Sequence, residues 1–283
     1  MNPAADSGAP SVGAAPKPRM ADLLLRSASG TVLVIFGLGI VWFGQLPLIM
    51  VTAMAAGLMA WELLRMAAPE AKIALRCIGG VLTGLVVWLG ALSPLNTLIS
   101  FVAFPFVMIG FMLIWRRYPW VSGFGILYIA LACGAFLLIR GQMANGRELL
   151  LAMLVCIWST DIAAYFGGRT FGGAKLAPII SPNKTWAGFL CGIAAGSVMG
   201  ALAGWVIGGN VIGWLVLGLA FGAVGQGGDL LESWAKRHFG VKDTSGIIPG
   251  HGGILDRLDG HLTSATLFAA LLLAWPSLAL ILA

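Results

Sequence analysis

The chain has 283 residues, 59% hydrophobic and only 10% charged, with a mean hydropathy of +0.94, whereas about a quarter of the residues in an ordinary soluble domain are charged. That composition excludes a soluble globular protein, and nine membrane crossings of about 20 apolar residues each would use roughly 180 residues and leave no length for a separate soluble domain. The net charge of +6 invites an acidic partner, but in a membrane protein the placement of the charges decides more than their sum.

In chain order, residues 1–26 are rich in Ala, Pro, Gly and Ser. They bury too little apolar surface to order themselves and read as a flexible tail. Hydropathy and helix breakers then predict nine spans, near 27–44, 46–63, 75–92, 97–115, 122–139, 148–167, 187–207, 211–226 and 261–281. The first is longer than a signal core and has no small-x-small cleavage site after it, so it reads as a retained span. With the N-terminus in the cytoplasm, all of the 17 Lys and Arg residues except Arg140 and Arg147 fall on the cytoplasmic side, as the positive-inside rule requires. The expected fold class is all-α: a polytopic integral membrane protein of about nine transmembrane helices, N-terminus cytoplasmic. The expected organisation is the tail, N-terminal transmembrane helices over 27–140 and a C-terminal transmembrane region over 141–283. The same asymmetry explains a pI near 9.5 without nucleic acid.

Cys77, Cys133, Cys156 and Cys191 lie far apart in apolar stretches, without a CxxC pair, and read as small buried side chains. The seventh span carries Gly188, Gly192, Gly196, Gly200, Gly204 and Gly208, a stripe that lets another helix approach closely. Packing within the chain is the preferred reading and a homodimer seam the alternative.

Ionisable residues concentrate between Gly227 and His261. Five of the 11 acidic residues, Asp229, Glu232, Asp243, Asp256 and Asp259, are here, with all three histidines, His238, His251 and His261. Such groups near membrane depth usually face a cavity, an ion or a partner; mutual salt bridges are the plainer alternative. Asp229 and Glu232 are three residues apart, as are Asp256 and Asp259. Two carboxylate pairs on helices ending at one surface can hold a hard divalent cation, Mg²⁺ being the natural candidate. Between them lies a glycine-rich loop, Gly246 to Gly253, whose backbone amides can approach an anion. Lys236, Arg237, Lys242 and Arg257 add positive charge beside it. The combination describes phosphate-transfer chemistry.

A second cluster follows the sixth span: Ser159, Asp161, Tyr165, Arg169 and Lys175, then Ser181, Pro182, Asn183, Lys184 and Thr185. It is not a Walker A loop, because Ala174 stands where Lys is needed. Ser181 to Thr185 can instead cap the seventh helix and present hydroxyls and an ammonium to an anion, or form an ordinary basic interfacial loop.

The pattern Glu232-Ser233-x-x-Lys236-Arg237, Lys242-Asp243, Pro249-Gly250-His251-Gly252-Gly253 and Asp256-Arg257-x-Asp259 resembles the C-terminal signature of the phosphatidate cytidylyltransferases, or CDP-diacylglycerol synthases. Asp161-x-x-Ala164-Tyr165-Phe166-x-Gly168-Arg169 and Ser181-Pro182-Asn183-Lys184-Thr185-Trp186-x-Gly188 resemble that family too, so the likeness covers the chain from about residue 155 onward. Ala187 stands where the family commonly has an acid, and no role is given to an acid there. The resemblance implies Mg²⁺-dependent transfer of a cytidylyl group from CTP to phosphatidate, yielding CDP-diacylglycerol and pyrophosphate, with 141–283 as the catalytic region. It implies metal binding by Asp229, Asp256 and Asp259, and catalytic contacts from Lys236, Arg237, His251 and Arg257. Asp161, Arg169, Ser181, Asn183, Lys184, Thr185, Lys242, Asp243, Gly252 and Gly253 are implied as substrate-binding residues. A second cation is left open. CTP, phosphatidate and membrane lipids are the implied partners, and the bacterial inner membrane the implied location, with the active site facing the cytoplasm. The rival readings are a transporter, which would scatter its acids near the midplane, another lipid-head-group enzyme, and a scaffold that leaves the carboxylates unexplained.

Overall fold

A computed structural model describes residues 20–92, 110, 119–142, 145–248 and 252–282. The chain order is α1 (Met20–Phe43), α2 (Gln45–Ala67), α3 (Ile73–Leu92), α4 (Pro119–Gln142), α5 (Gly146–Phe171), β1 (Lys175–Ala177), β2 (Ser181–Thr185), α6 (Trp186–Val206), α7 (Val211–His238), α8 (Leu255–Ala274) and α9 (Ser277–Leu282). Eight of the nine expected spans fall on α1 to α8, while the fourth, 97–115, lies outside the described residues apart from Gly110. Among the described residues, six helices, α2 to α7, are long and apolar enough to cross a membrane.

Three boundaries differ from expectation. α1 begins at Met20, inside the stretch 1–26 read as a flexible tail. The eighth span does not stop at 226 but continues as helix to His238, because no proline follows Gly227 and Gly228, Gly228 is needed for the close approach to α8, and the closing Lys236, Arg237 and His238 complement the negative helix end. The last span does not run unbroken over 261–281. It begins at Leu255, ends at Ala274 and resumes as the short α9, since Pro276 cannot donate to the ladder.

The helices are joined by backbone approaches that only glycine permits. A Cβ on Gly188 would lie 2.7 Å from Ala164 O of α5, and one on Gly196 would lie 3.0 Å from Gly218 O of α7. Gly200 and Gly204 sit against Trp214. The stripe from Gly188 to Gly204 is thus a packing seam within the chain, between α5 and α7, whereas Gly208 lies past the end of α6 and meets no neighbour. A second seam joins α2 to α3 through Gly57, Gly80 and Gly84. α8 packs between α4 and α7, burying Leu262, Ala265, Phe268 and Leu272. Large apolar side chains remain exposed on the outside, among them Val81, Leu190, Val198, Trp205 and Ile212, as expected where lipid is the solvent. The four cysteines are free. Cys133 and Cys156 are buried and Cys191 is half-buried, but Cys77 is exposed on α3, contrary to the buried reading.

Candidate active site

The C-terminal part of α7 places Asp229, Glu232 and Lys236 along one face, as three- and four-residue spacings dictate. Lys236 Nζ lies 2.7 Å from Glu232 Oε2 and 2.9 Å from Asp256 Oδ1 at the start of α8. The ammonium therefore joins the two helices. Asp229, Glu232 and Asp259 each offer a carboxylate oxygen within 4.8 Å of the others. Among the described residues, Glu232 Oε1 is buried and has no hydrogen-bond partner. A buried orphan oxygen in a group of three converging carboxylates suits a hard cation that takes oxygen ligands.

Asp256 stands apart from that group. Besides Lys236, its carboxylate accepts from the Thr244 N–H (3.0 Å), the Thr244 hydroxyl (3.0 Å) and the Gly253 N–H (2.7 Å). The loop between the helices is thereby tied to α8. Gly240 and Gly252 take positive φ, 69° and 83°, at its two turns, and Ile248 N donates to Gly252 O at 2.9 Å. Lys242 and Asp243 are exposed on this loop, and Arg257 is exposed on the first turn of α8. His251, with Pro249 and Gly250, lies outside the described residues.

The second cluster forms a β-hairpin, which no alternation of apolar and polar residues foretold. α5 ends at Phe171, and Gly172 and Gly173, with φ of 61° and 88°, turn the chain. Lys175 then pairs with Thr185 and Ala177 with Ser181. Thr185 caps α6, its Oγ1 accepting from Gly188 N at 3.1 Å. The hairpin aims Lys184 at the carboxylates, with Nζ 2.7 Å from Asp229 Oδ2. Arg237 Nε reaches Ile180 O at 3.5 Å. Asp161 and Arg169 are exposed on α5, Arg169 donating to the Tyr165 hydroxyl at 3.0 Å. Asn183 is exposed and Ser181 half-buried in β2.

Three elements thus converge: the ends of α7 and α8 and the hairpin before α6. The sequence alone did not single out Glu62 of α2, which is wholly buried and accepts from Thr244, Ser245, Ile254 and Leu255. Its one signal is that it is an acid inside a predicted span, which is costly unless partnered.

An apolar cavity of about 420 Å³ adjoins the carboxylates. Leu63 and Met66 of α2, Phe124 and Tyr128 of α4 and Leu231 of α7 line it, with Glu232 and Asp259 in the same wall. Trp120, Phe124, Leu231 and Trp234, also in its lining, are exposed, so the cavity opens sideways between α4 and α7. A polar centre is thereby joined to a route for an apolar chain.

The chain is similar to phosphatidate cytidylyltransferases of several bacteria. That of Brucella suis is 45% identical over 149 residues, 50% of this chain and 53% of the relative. That of Staphylococcus aureus is 35% identical over 178 residues, 62% of this chain and 68% of the relative. The chain spans about half the length of the Brucella relatives it matches. Residues 24–275 match the family model described as the cytidylyltransferase family, so the likeness includes N-terminal helices where the sequence offered only hydropathy. A match running through both polar clusters and almost all of the helical frame establishes that the chain belongs to the cytidylyltransferase family.

Proposed function

We propose that this chain transfers the cytidylyl group of CTP to phosphatidate, giving CDP-diacylglycerol and pyrophosphate, at the cytoplasmic end of a nine-span bundle in the bacterial inner membrane. The observation that carries this reading is the meeting of three carboxylates, Asp229, Glu232 and Asp259, with an apolar side cavity and the Lys184 ammonium. The orientation rests on the crowding of Lys and Arg at the same end as the site.

In the reaction, a phosphate oxygen of phosphatidate attacks the α-phosphorus of CTP, and the bond from that phosphorus to the oxygen bridging the β-phosphorus breaks. The electron pair leaves with pyrophosphate. The nucleophile is already an anion, so the work is to bring two anions together and shield their repulsion. Asp229, Glu232 and Asp259 would hold Mg²⁺, which supplies charge neutralisation on the triphosphate. Lys184 sits on the hairpin beside Asp229 and is placed to exchange that carboxylate for a phosphate oxygen. Lys236, held between Glu232 and Asp256, keeps the carboxylates of α7 and α8 at fixed separation. Arg237, Arg257, Lys242 and Arg169 raise the local positive potential that draws CTP from solution. The cavity between α4 and α7 takes the acyl chains of phosphatidate, which leaves its phosphate at Glu232 and Asp259.

Pyrophosphate release by detergent-purified protein, with CTP, phosphatidate and Mg²⁺ omitted in turn, tests the proposal. Release that needs all three is expected. Release without phosphatidate, or none from folded protein that binds CTP, would overturn it.

A further inference from the structure

Glu62 lies in the apolar helix α2, far in sequence from both polar clusters, and has no exposed surface. Its two oxygens accept four hydrogen bonds. Oε1 takes the Ser245 hydroxyl and the Ile254 N–H (3.0 Å), and Oε2 takes the Thr244 hydroxyl (3.2 Å) and the Leu255 N–H (2.9 Å). Two of these donors are backbone amides at the start of α8, where a negative charge is favoured by the helix dipole and by the unpaired N–H groups. The other two lie on the loop that leaves α7. A residue of α2 thus caps a helix that begins almost two hundred positions later.

The contact is built into the neighbouring backbone. A Cβ on Gly253 would lie 2.5 Å from Glu62 Oε1 and would also strike the Thr244 hydroxyl, so glycine there is what lets the carboxylate reach the amides. The network then continues toward the reacting groups. The one hydroxyl proton of Thr244 is shared between Glu62 Oε2 and Asp256 Oδ2 (3.0 Å), the Thr244 N–H also donates to Asp256, Asp256 binds Lys236, and Lys236 binds Glu232. From Glu62 to the three-carboxylate group there is an unbroken chain of hydrogen bonds and ion pairs.

We propose that Glu62 is a positioning residue for cytidylyl transfer, a carboxylate on α2 that holds the first turn of α8 and the Thr244–Ser245 loop so that Asp256, Lys236, Glu232 and Asp259 keep their separations. This inference rests on the proposed transfer reaction. It makes the N-terminal helices part of the catalytic unit, since the site loses its fixed geometry when α2 stops holding α8. Glutamine is the informative replacement. It matches glutamate in shape but turns an NH₂ group toward donors that need an acceptor, and a hydrogen-bonded supporting residue of this kind typically costs about 10- to 100-fold in activity or metal affinity when changed.

The test compares wild type, Glu62→Gln and Glu62→Asp as full-length protein in detergent. It reads kcat and KM for CTP together with amide hydrogen exchange along the chain. For Glu62→Gln the expected result is a fall in kcat of about 30-fold with KM for CTP nearly unchanged, and faster exchange confined to residues 244–248 and 252–256. Glu62→Asp, which keeps the charge, should recover part of kcat. A wild-type kcat in Glu62→Gln, or faster exchange spread evenly through all helices, would overturn the inference. If Glu62→Gln cannot be purified, Thr244→Val, which cuts the hydroxyl bridge and leaves both carboxylates, should show the same local exchange and a smaller fall in kcat. Its behaving as wild type would overturn the inference. Absence of transfer by wild type would defeat the proposed reaction instead, and the exchange data would still decide whether Glu62 holds the loop.

Discussion

The two polar regions at one end of the bundle are built in opposite ways. Around α7 and α8, Lys236, Asp256, Thr244 and Glu62 lock one another, and the groups are mostly buried. On α5 and the hairpin, Asp161, Arg169, Lys175 and Asn183 are exposed, and one ion pair, Lys184 to Asp229, crosses to the first region. A rigid set of carboxylates suits a cation that needs fixed ligand geometry. A looser, solvated set suits a triphosphate that must enter and leave within each turnover. Under the proposed function, the buried region would carry the chemistry and the open one the capture of CTP.

That division can be broken by substitution. Asp259→Asn, which removes one carboxylate of the three without changing volume, should lower transfer by about a thousandfold or more while the protein still elutes as folded in size-exclusion chromatography. Lys236→Met should act on the fold as well, because Glu232 and Asp256 would be left buried without their cation. The expected loss is about 3 kcal/mol of stability, read as a lower melting temperature in detergent. Lys184→Ala removes the ion pair between the regions, leaves the Arg237 contact to Ile180 O, and should raise KM for CTP by about tenfold, with little change in melting temperature. Arg169→Ala, at an exposed position, should change KM for CTP by only about threefold and only at low salt. An Arg169→Ala defect as large as that of Asp259→Asn would erase the distinction between the regions.

Much of this arrangement was legible in the sequence. The long apolar runs marked the spans because lipid demands about 20 apolar residues per crossing, and the crowding of Asp229, Glu232, Asp256 and Asp259 at span ends marked the site because charge there is costly. A cap for α6 within Ser181 to Thr185 was legible, and the structure places it at Thr185. Other features required the fold. The hairpin was hidden because Ser181-Pro182-Asn183-Lys184-Thr185 has no alternation to read, and its turn, Pro178-Ile179-Ile180, has an apolar sequence without glycine. The continuation of α7 to His238 was hidden because charge interrupts hydropathy without interrupting a helix. Glu62 meets Thr244 across 182 positions, a pairing that no local pattern encodes. The carboxylates brought within 4.8 Å include Glu232 and not Asp256, since Asp256 is already engaged by Lys236, Thr244 and Gly253.

The most direct measurement follows the transferred phosphorus itself. CTP labelled at the α-phosphate is incubated with purified protein, phosphatidate and Mg²⁺, and the lipid fraction is counted. The account predicts that label enters the lipid as CDP-diacylglycerol, that it requires phosphatidate, and that Asp259→Asn abolishes it. Label that stays in the aqueous phase with folded wild-type protein, or that enters lipid equally well with Asp259→Asn, would contradict it.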